Sequence, residues 1–162
     1  MQTFVPLYTY SDCARVLDNK RLNKQTVEGY QILRTLTGVS KGWRYHPATL
    51  MWRGYENELF NYVHVMCIQC LGRGFKNTIV SKLPIEFPAF IFTSPYKEQY
   101  PNWWGDERVH KSHRESLYKK DPVFYGKYKW HEDFDSEINL TKMSYWWPVQ
   151  RYVPYLNNRN LK

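Results

Sequence analysis

Residues 17–36, LDNKRLNKQTVEGYQILRTL, carry the clearest pattern in the chain. Leu22, Thr26, Tyr30, Leu33 and Leu36 or Thr37 recur at three- and four-residue steps, which sets them on one face of a helix. Asp18 is placed to cap its start, and Gly38 sits where helices commonly stop. Lys20, Arg21, Lys24, Gln25, Glu28 and Gln31 occupy the other face, which is basic apart from Glu28. A second run predicts a helix over about residues 48–71. Met51, Tyr55, Leu59, Tyr62, Val63, Met66 and Cys70 mark its buried face, Trp52, Arg53 and Glu56 look outward, and Gly72 and Gly74 end it. A third helix opens at Asp106 and stops at Asp121-Pro122. Val109, His113 and Leu117 share one of its faces, and His110 and Arg114 a neighbouring one.

The remaining stretches lack a period. Residues 1–16 are expected to form an extended N-terminal segment, because Pro6 and the Tyr8-Thr9-Tyr10 pattern resist helix, with a short turn capped by Ser11-Asp12. Residues 38–47, GVSKGWRYHP, combine glycines with Lys41 and Arg44, a composition that lets backbone approach phosphates. Residues 75–103 read as irregular, since Pro84, Pro88, Pro95 and Pro101 break any long helix. The aromatic-rich tail, residues 131–162, is expected to pack over the helices. The sum is one all-α domain over residues 1–162: a compact helical fold with about three main helices and long irregular, aromatic-rich connections.

Composition narrows the function. A net charge of +8 points to a polyanionic partner, nucleic acid first and an acidic membrane surface second. Aromatics make up 18% of the chain, enough to build a core and still leave rings for stacking on bases. Cys13, Cys67 and Cys70 are an odd set. The C-x-x-C they include lies in an apolar helical run without a second pair, so buried thiols are expected rather than a metal site, and no cofactor. No signal peptide opens the chain and no apolar run is long enough to span a bilayer, which predicts a cytoplasmic, DNA-associated protein without a membrane partner.

Glu28 stands out on its helix. It follows Arg21 by seven residues and Lys24 by four, so all three share a side. Such a carboxylate is either half of a surface ion pair with Lys24 or a catalytic acid held ionised in an anion-binding groove.

Three blocks of residues bear on that choice. The first is Leu17-Asp18-Asn19-Lys20-Arg21-Leu22, followed by Glu28. The second is G-x-x-x-H-P at residues 42–47, with L-G-R-G-F at 71–75. The third is G-D-x-x-x-H, followed by an Arg-containing turn and D-P-x-x-Y, within residues 105–125. In this order and spacing the chain resembles the pyrimidine-dimer DNA glycosylases of the phage endonuclease V type, and especially their bacterial relatives. The resemblance implies a compact helical domain that flips a damaged or modified base, a pyrimidine first, from double-stranded DNA and cleaves its N-glycosidic bond; nothing in the sequence requires more than a monomer or an obligatory protein partner. It implies an N-terminal α-amine that forms a Schiff base at C1′ and nicks the strand by β-elimination, with the helix glutamate falling on Glu28.

The chemistry suits those residue types. A carboxylate stabilises the positive charge that develops on the sugar, and an α-amine titrates about 7.7–8.0 against about 10.4 for lysine. Met1, Lys20, Lys24 or a water activated by Glu28 are the candidate nucleophiles. The base must leave the duplex, and Trp43, Trp103 and Trp104 are candidates to fill or cap the space. Candidate DNA contacts are Arg21, Lys41, Trp43, Arg44, His46, Trp104, His110, His113, Arg114, Lys119 and Lys120. At least one of the three histidines is expected to line the site. The chain also departs from the phage type. It begins Met1-Gln2-Thr3, and the size of Gln2 predicts that Met1 is retained. The segment ahead of the first block is longer, and Val27 rather than an arginine precedes Glu28. Two other functions remain open: a non-catalytic duplex-DNA-binding protein, and an N-glycosidase acting on free nucleosides or nucleotides.

Overall fold

The structure, a computed structural model, describes residues 1–90, 99–134 and 145–148. In chain order the α-helices are α1 (Tyr10–Val16), α2 (Asn19–Leu36), α3 (Pro47–Leu50), α4 (Glu56–Gly72), α5 (Ile79–Glu86), α6 (Glu107–Lys120) and α7 (Pro122–Tyr125). Two 3-10 turns follow, Gly126–Tyr128 and Trp130–Asp133. The fold is all-α, with no strand among the described residues. Seven α-helices stand among the described residues where about three main ones were expected: α2, α4 and α6 are long, and four are shorter.

The caps lie where the sequence puts them. The Asp18 carboxylate accepts from Arg21 N at the start of α2, and Asp106 accepts from Arg108 N at the start of α6. Gly38 takes the left-handed conformation after α2 (φ 81°). The expected N-terminal segment divides: residues 1–9 are non-helical, and α1 follows, capped by the Thr9 side chain rather than by Ser11-Asp12.

Two expectations need correction. The helix expected over residues 48–71 is two helices, α3 and α4, separated by a turn in which Gly54 has φ 83°. That break resets the helical face, and Trp52, read as outward, is fully buried. Its Nε1–H donates to Thr3 Oγ1 at 2.8 Å. The stretch 75–103, read as irregular, contains α5 with Pro84 inside it. In so short a helix the missing N–H removes at most one intrahelical bond, so the proline shortens the helix without preventing it. Pro95 lies outside the described residues.

α2 packs directly on α4. Gly29 makes this possible: a Cβ there would meet Val63 Cγ2 at 2.6 Å. Above this contact sits an aromatic cluster. Trp52 meets Trp103 edge-on at 5.1 Å, Tyr10 meets Trp104 at 4.8 Å, and Tyr100 stacks on Trp104 at 5.0 Å. Both indole N–H groups find acceptors, that of buried Trp103 on Met51 O (2.7 Å) and that of half-buried Trp104 on Tyr8 O (2.8 Å). Much of the aromatic content is therefore core. Cys67 and Cys70 are buried, unbridged thiols, and burial pushes Cys67 up to about 12. Of the tail, the described Tyr145, Trp146 and Trp147 pack against the core. Residues 135–144 and 149–162 lie outside the described residues.

Gly29→Ala is expected to destabilise the fold by about 1–3 kcal/mol, because Val63 is β-branched on a helix and cannot turn its methyl away. A lower urea midpoint, restored by adding Val63→Ala, is the expected result; an alanine variant more stable than wild type would contradict the close helix approach.

Candidate active site

Residues 1–8 run in an extended path through the helices, mostly buried, with no neighbouring strand among the described residues. Buried backbone groups need partners, and here side chains supply them. Phe4 N–H donates to Gln25 Oε1 (2.7 Å), and Tyr62 OH donates to Phe4 O (2.9 Å) and to the same Gln25 oxygen (3.0 Å). Val5 lies between two histidines of α6. Its N–H donates to His113 Nδ1 (2.9 Å), and its carbonyl accepts from His110 Nδ1 (2.7 Å). Arg114 donates to Pro6 O at 2.9 Å.

This pattern fixes both tautomers. His110 carries its proton on Nδ1, and its Nε2 accepts Gly105 N–H at 3.0 Å. His113 accepts at Nδ1, so its proton is on Nε2, which lies 2.9 Å from the Gln2 side-chain amide. The amide then meets that proton through its oxygen, the orientation that also gives Gln2 Oε1 a partner it otherwise lacks. Burial pushes His113 down to about 3 and lowers His110, so both rings are neutral at pH 7.

The segment ends at Glu28. Gln2 N–H donates to Glu28 Oε2 at 3.1 Å, and the Met1 α-amine lies 3.8 Å from Oε1. Lys24 Nζ stands 3.5 Å from the same oxygen. The Glu28 side chain is 12% exposed, while that of Lys24 is 63% exposed. The i,i+4 ion pair thus exists, on the open side of a carboxylate whose inner side faces the N-terminus.

More charges bear on this carboxylate. Lys120 is lowered from its usual value first by burial, then by Arg21 and Lys24, with Glu28 acting the other way. Arg21 is held by Asp18 (2.8 Å) and donates to Lys120 O (3.1 Å), which ties the start of α2 to the end of α6. His46 is lowered first by burial and then by the N-terminal charge, while Glu28 raises it. The Met1 amine and Lys24 thus share one carboxylate, while Arg21, paired with Asp18, and Lys120 stand where α2 meets the end of α6, a charge balance that suits an anionic ligand. No group of three metal-ligating side chains occurs among the described residues.

The other candidates separate by burial. Lys20, Lys41, Trp43 and Arg44 are exposed. His110 and His113 are fully buried and Arg114 nearly so; they hold the N-terminal segment and do not present a surface to DNA, which corrects the reading of them as contacts. Lys119 is turned to Glu115 at 2.5 Å with its side chain 4% exposed, and Trp104 is packed among Tyr10, Tyr100 and His110. Gln25, assigned to the outer face of α2, is fully buried. Gln2 and Gln25 build the site and carry no signal in the helical period, apart from the polarity of Gln25 beside the apolar stripe; Tyr62 falls on the predicted buried face, which marks its burial but not the bonds of its hydroxyl. No helix among the described residues is long and apolar enough to cross a membrane.

The family model described as pyrimidine dimer DNA glycosylase matches residues 1–82, which contain Met1, Gln25, Glu28 and His46. No curated protein and no solved structure matches the chain.

The neutral histidines give stability a definite pH dependence. In the unfolded chain a histidine titrates about 6.5, so between pH 6.5 and about 3 the unfolded state binds a proton at His113 that the native state refuses. Stability is therefore lost as pH falls through that window, and His110 adds in the same direction. The urea midpoint should drop between pH 7 and pH 5, and His113→Gln should weaken that dependence; a midpoint insensitive to pH over this range would argue against neutral imidazoles clamping Val5.

Proposed function

Because the chain belongs to the pyrimidine dimer DNA glycosylase family, we propose that it excises a damaged pyrimidine from duplex DNA, with the Met1 α-amine as nucleophile and Glu28 as the carboxylate that serves it. The observation that carries this reading is the 3.8 Å separation of Met1 N and Glu28, backed by the hydrogen bond from Gln2 N–H. The amine is one residue from a backbone group fixed to the catalytic carboxylate, on a segment buried through Pro6. It is thereby pre-positioned.

Lys24 is the rival amine at 3.5 Å, but it is exposed and flexible, and a lysine ordinarily titrates about 10.4 against about 7.7–8.0 for an α-amine. Lys20 lies two turns of α2 before Glu28 and is exposed.

In this reading the lone pair of the neutral amine forms a bond to sugar C1′. The C1′–N bond to the base breaks, and its electron pair leaves with the base. The nitrogen, now cationic, gives a proton to Glu28, whose negative charge also stabilises the cationic character at C1′. The nitrogen lone pair then expels O4′ from C1′, O4′ takes the proton back from Glu28, and the iminium form of the Schiff base results. The carboxylate, free again, takes a C2′ proton, and the electron pair of that C–H bond expels the 3′ phosphate by β-elimination. Arg21, Lys24 and Lys120 are the cations for the neighbouring phosphates, and exposed Lys41 and Arg44 extend that surface.

The test uses labelled duplexes: ultraviolet-irradiated, uracil-containing, oxidised-pyrimidine and undamaged. Wild type should release base, nick the strand and form a borohydride-trapped adduct on a damaged duplex. Glu28→Gln keeps an acceptor for Gln2 N–H but should lower base release by at least about 100-fold. Lys24→Ala should keep the adduct, and acetylation of the α-amine should abolish it. Base release without nick or adduct would remove the amine from the mechanism in favour of water. Binding without release on every duplex would sink the glycosylase reading.

A further inference from the structure

A cavity of about 510 Å³ opens at the corner where α1 turns into α2, against α7 and the 3-10 turn that follows it. Four cations line it, Arg15, Lys20, Arg73 and Lys127, and one carboxylate, that of Asp18. Phe124 and Tyr128 supply aromatic wall. None of these groups takes part in the chemistry above.

Most of the charges are already matched. Arg73 donates to Ala14 O (3.1 Å), Arg15 O (2.9 Å) and Leu17 O (2.7 Å), and to Asn19 Oδ1 (3.0 Å). Its guanidinium thereby closes the carbonyl end of α1, and the amino end of the 18-residue α2 is left as the backbone charge at the cavity. The Asp18 carboxylate is bonded by Arg21 and by the Tyr125 hydroxyl, and Arg15 is paired with Asp12. Lys20 and Lys127 remain. Both are exposed, and neither has a carboxylate partner among the described residues. Lys127 Nζ stands 3.9 Å from the centre of the Phe124 ring and 4.9 Å from that of Tyr128. The rings hold the ammonium at the cavity without cancelling its charge.

Two uncancelled ammonium groups, a helix amino end and aromatic wall in one concave site fit an anion that carries an apolar flank. A phosphodiester joined to its sugar has that composition. The position suits it too. Asn19 and Glu28 are nine residues apart on α2, about 13 Å along the axis, which is roughly four nucleotides of one strand.

We propose that this cavity is a second phosphate site, in which Lys20, Lys127 and the amino end of α2 hold a DNA backbone phosphate about four nucleotides to one side of the excised base, with Phe124 and Tyr128 against its sugar. The distance from the excised base rests on the glycosylase reading; the phosphate site itself does not.

The experiment follows affinity against salt concentration for two duplexes, one undamaged and one with an uncleavable abasic analogue at its centre. On the undamaged duplex, Lys20→Gln combined with Lys127→Gln should reduce the slope of log K against log salt by about 1–2, since each phosphate contact contributes about 0.9. Both side chains are exposed, so the replacements leave the core untouched. Lys20→Arg combined with Lys127→Arg should keep the wild-type slope. An unchanged slope in the glutamine variant would overturn the proposal, as would a wild type without affinity for duplex. Inorganic phosphate tests the other source of the same chemistry: saturable binding lost in the glutamine variant, with the duplex slope unchanged, would assign the cavity to a free anion instead. On the abasic duplex, cutting one arm to about two nucleotides should bring wild type to the slope of the glutamine variant, while cutting the other arm should act on both proteins alike. An equal response of both proteins to both arms would overturn the placement beside the excised base. Equal affinity of wild type for the two duplexes would count against the glycosylase reading, and the slopes on the undamaged duplex would still decide the cavity.

Discussion

The structure depends on how an extended segment without a neighbouring strand satisfies its buried backbone. Residues 2–6 cross the helices with peptide groups that a sheet would pair, and no sheet is present among the described residues. Polar side chains from three helices take that place: Gln25 of α2, Tyr62 of α4, and His110, His113 and Arg114 of α6. Each would be a liability in an apolar core if left unpaired, and each bonds a backbone group of the segment. The same clamps determine where the Met1 amine lies relative to Glu28.

Electrostatics around Glu28 follow from that placement. One carboxylate faces the chain's own amine on its buried side and Lys24 on its open side, with Arg21 and Lys120 nearby. The carboxylate cannot neutralise them all. The positive charge left over lies on the exposed Lys24 and Lys120, while the Met1 amine stays at the buried side of the carboxylate. A solvated cation and an enclosed one thus meet at a single turn of α2.

Local rules made the helices readable. The caps at Asp18 and Asp106, the left-handed Gly38 and the apolar stripe of α2 are short-range signals, and each has a local physical cause. The break between α3 and α4 was hidden because the apolar spacing continues through it; only Gly54 marks it. Trp52 and Gln25 were misplaced for a related reason. Their partners, Thr3 and Phe4, lie in the N-terminal segment, and no period relates the two. Within the candidate site, Glu28 stood out by its charge and by the blocks around it, though not its contact with the N-terminus. The work of His110 and His113 was not legible, since a histidine on a helix reads alike whether it faces solvent or clamps an extended segment.

The clamp also has a consequence for the order in which the protein takes shape. Val5 and Pro6 are among the first residues to be synthesised, yet their partners on α6 are 105 and 108 residues further along. Contacts so distant in sequence close late, after the local helices have formed. A nascent chain ending before α6 can already hold Thr3 and Phe4 through Trp52, Gln25 and Tyr62, but Val5 and Pro6 still lack their partners. Residues 1–82 thus carry the inner part of the grip on the N-terminal segment, and α6 closes the outer part. Closure of that grip is the late step, and it completes the setting of the Met1 amine beside Glu28.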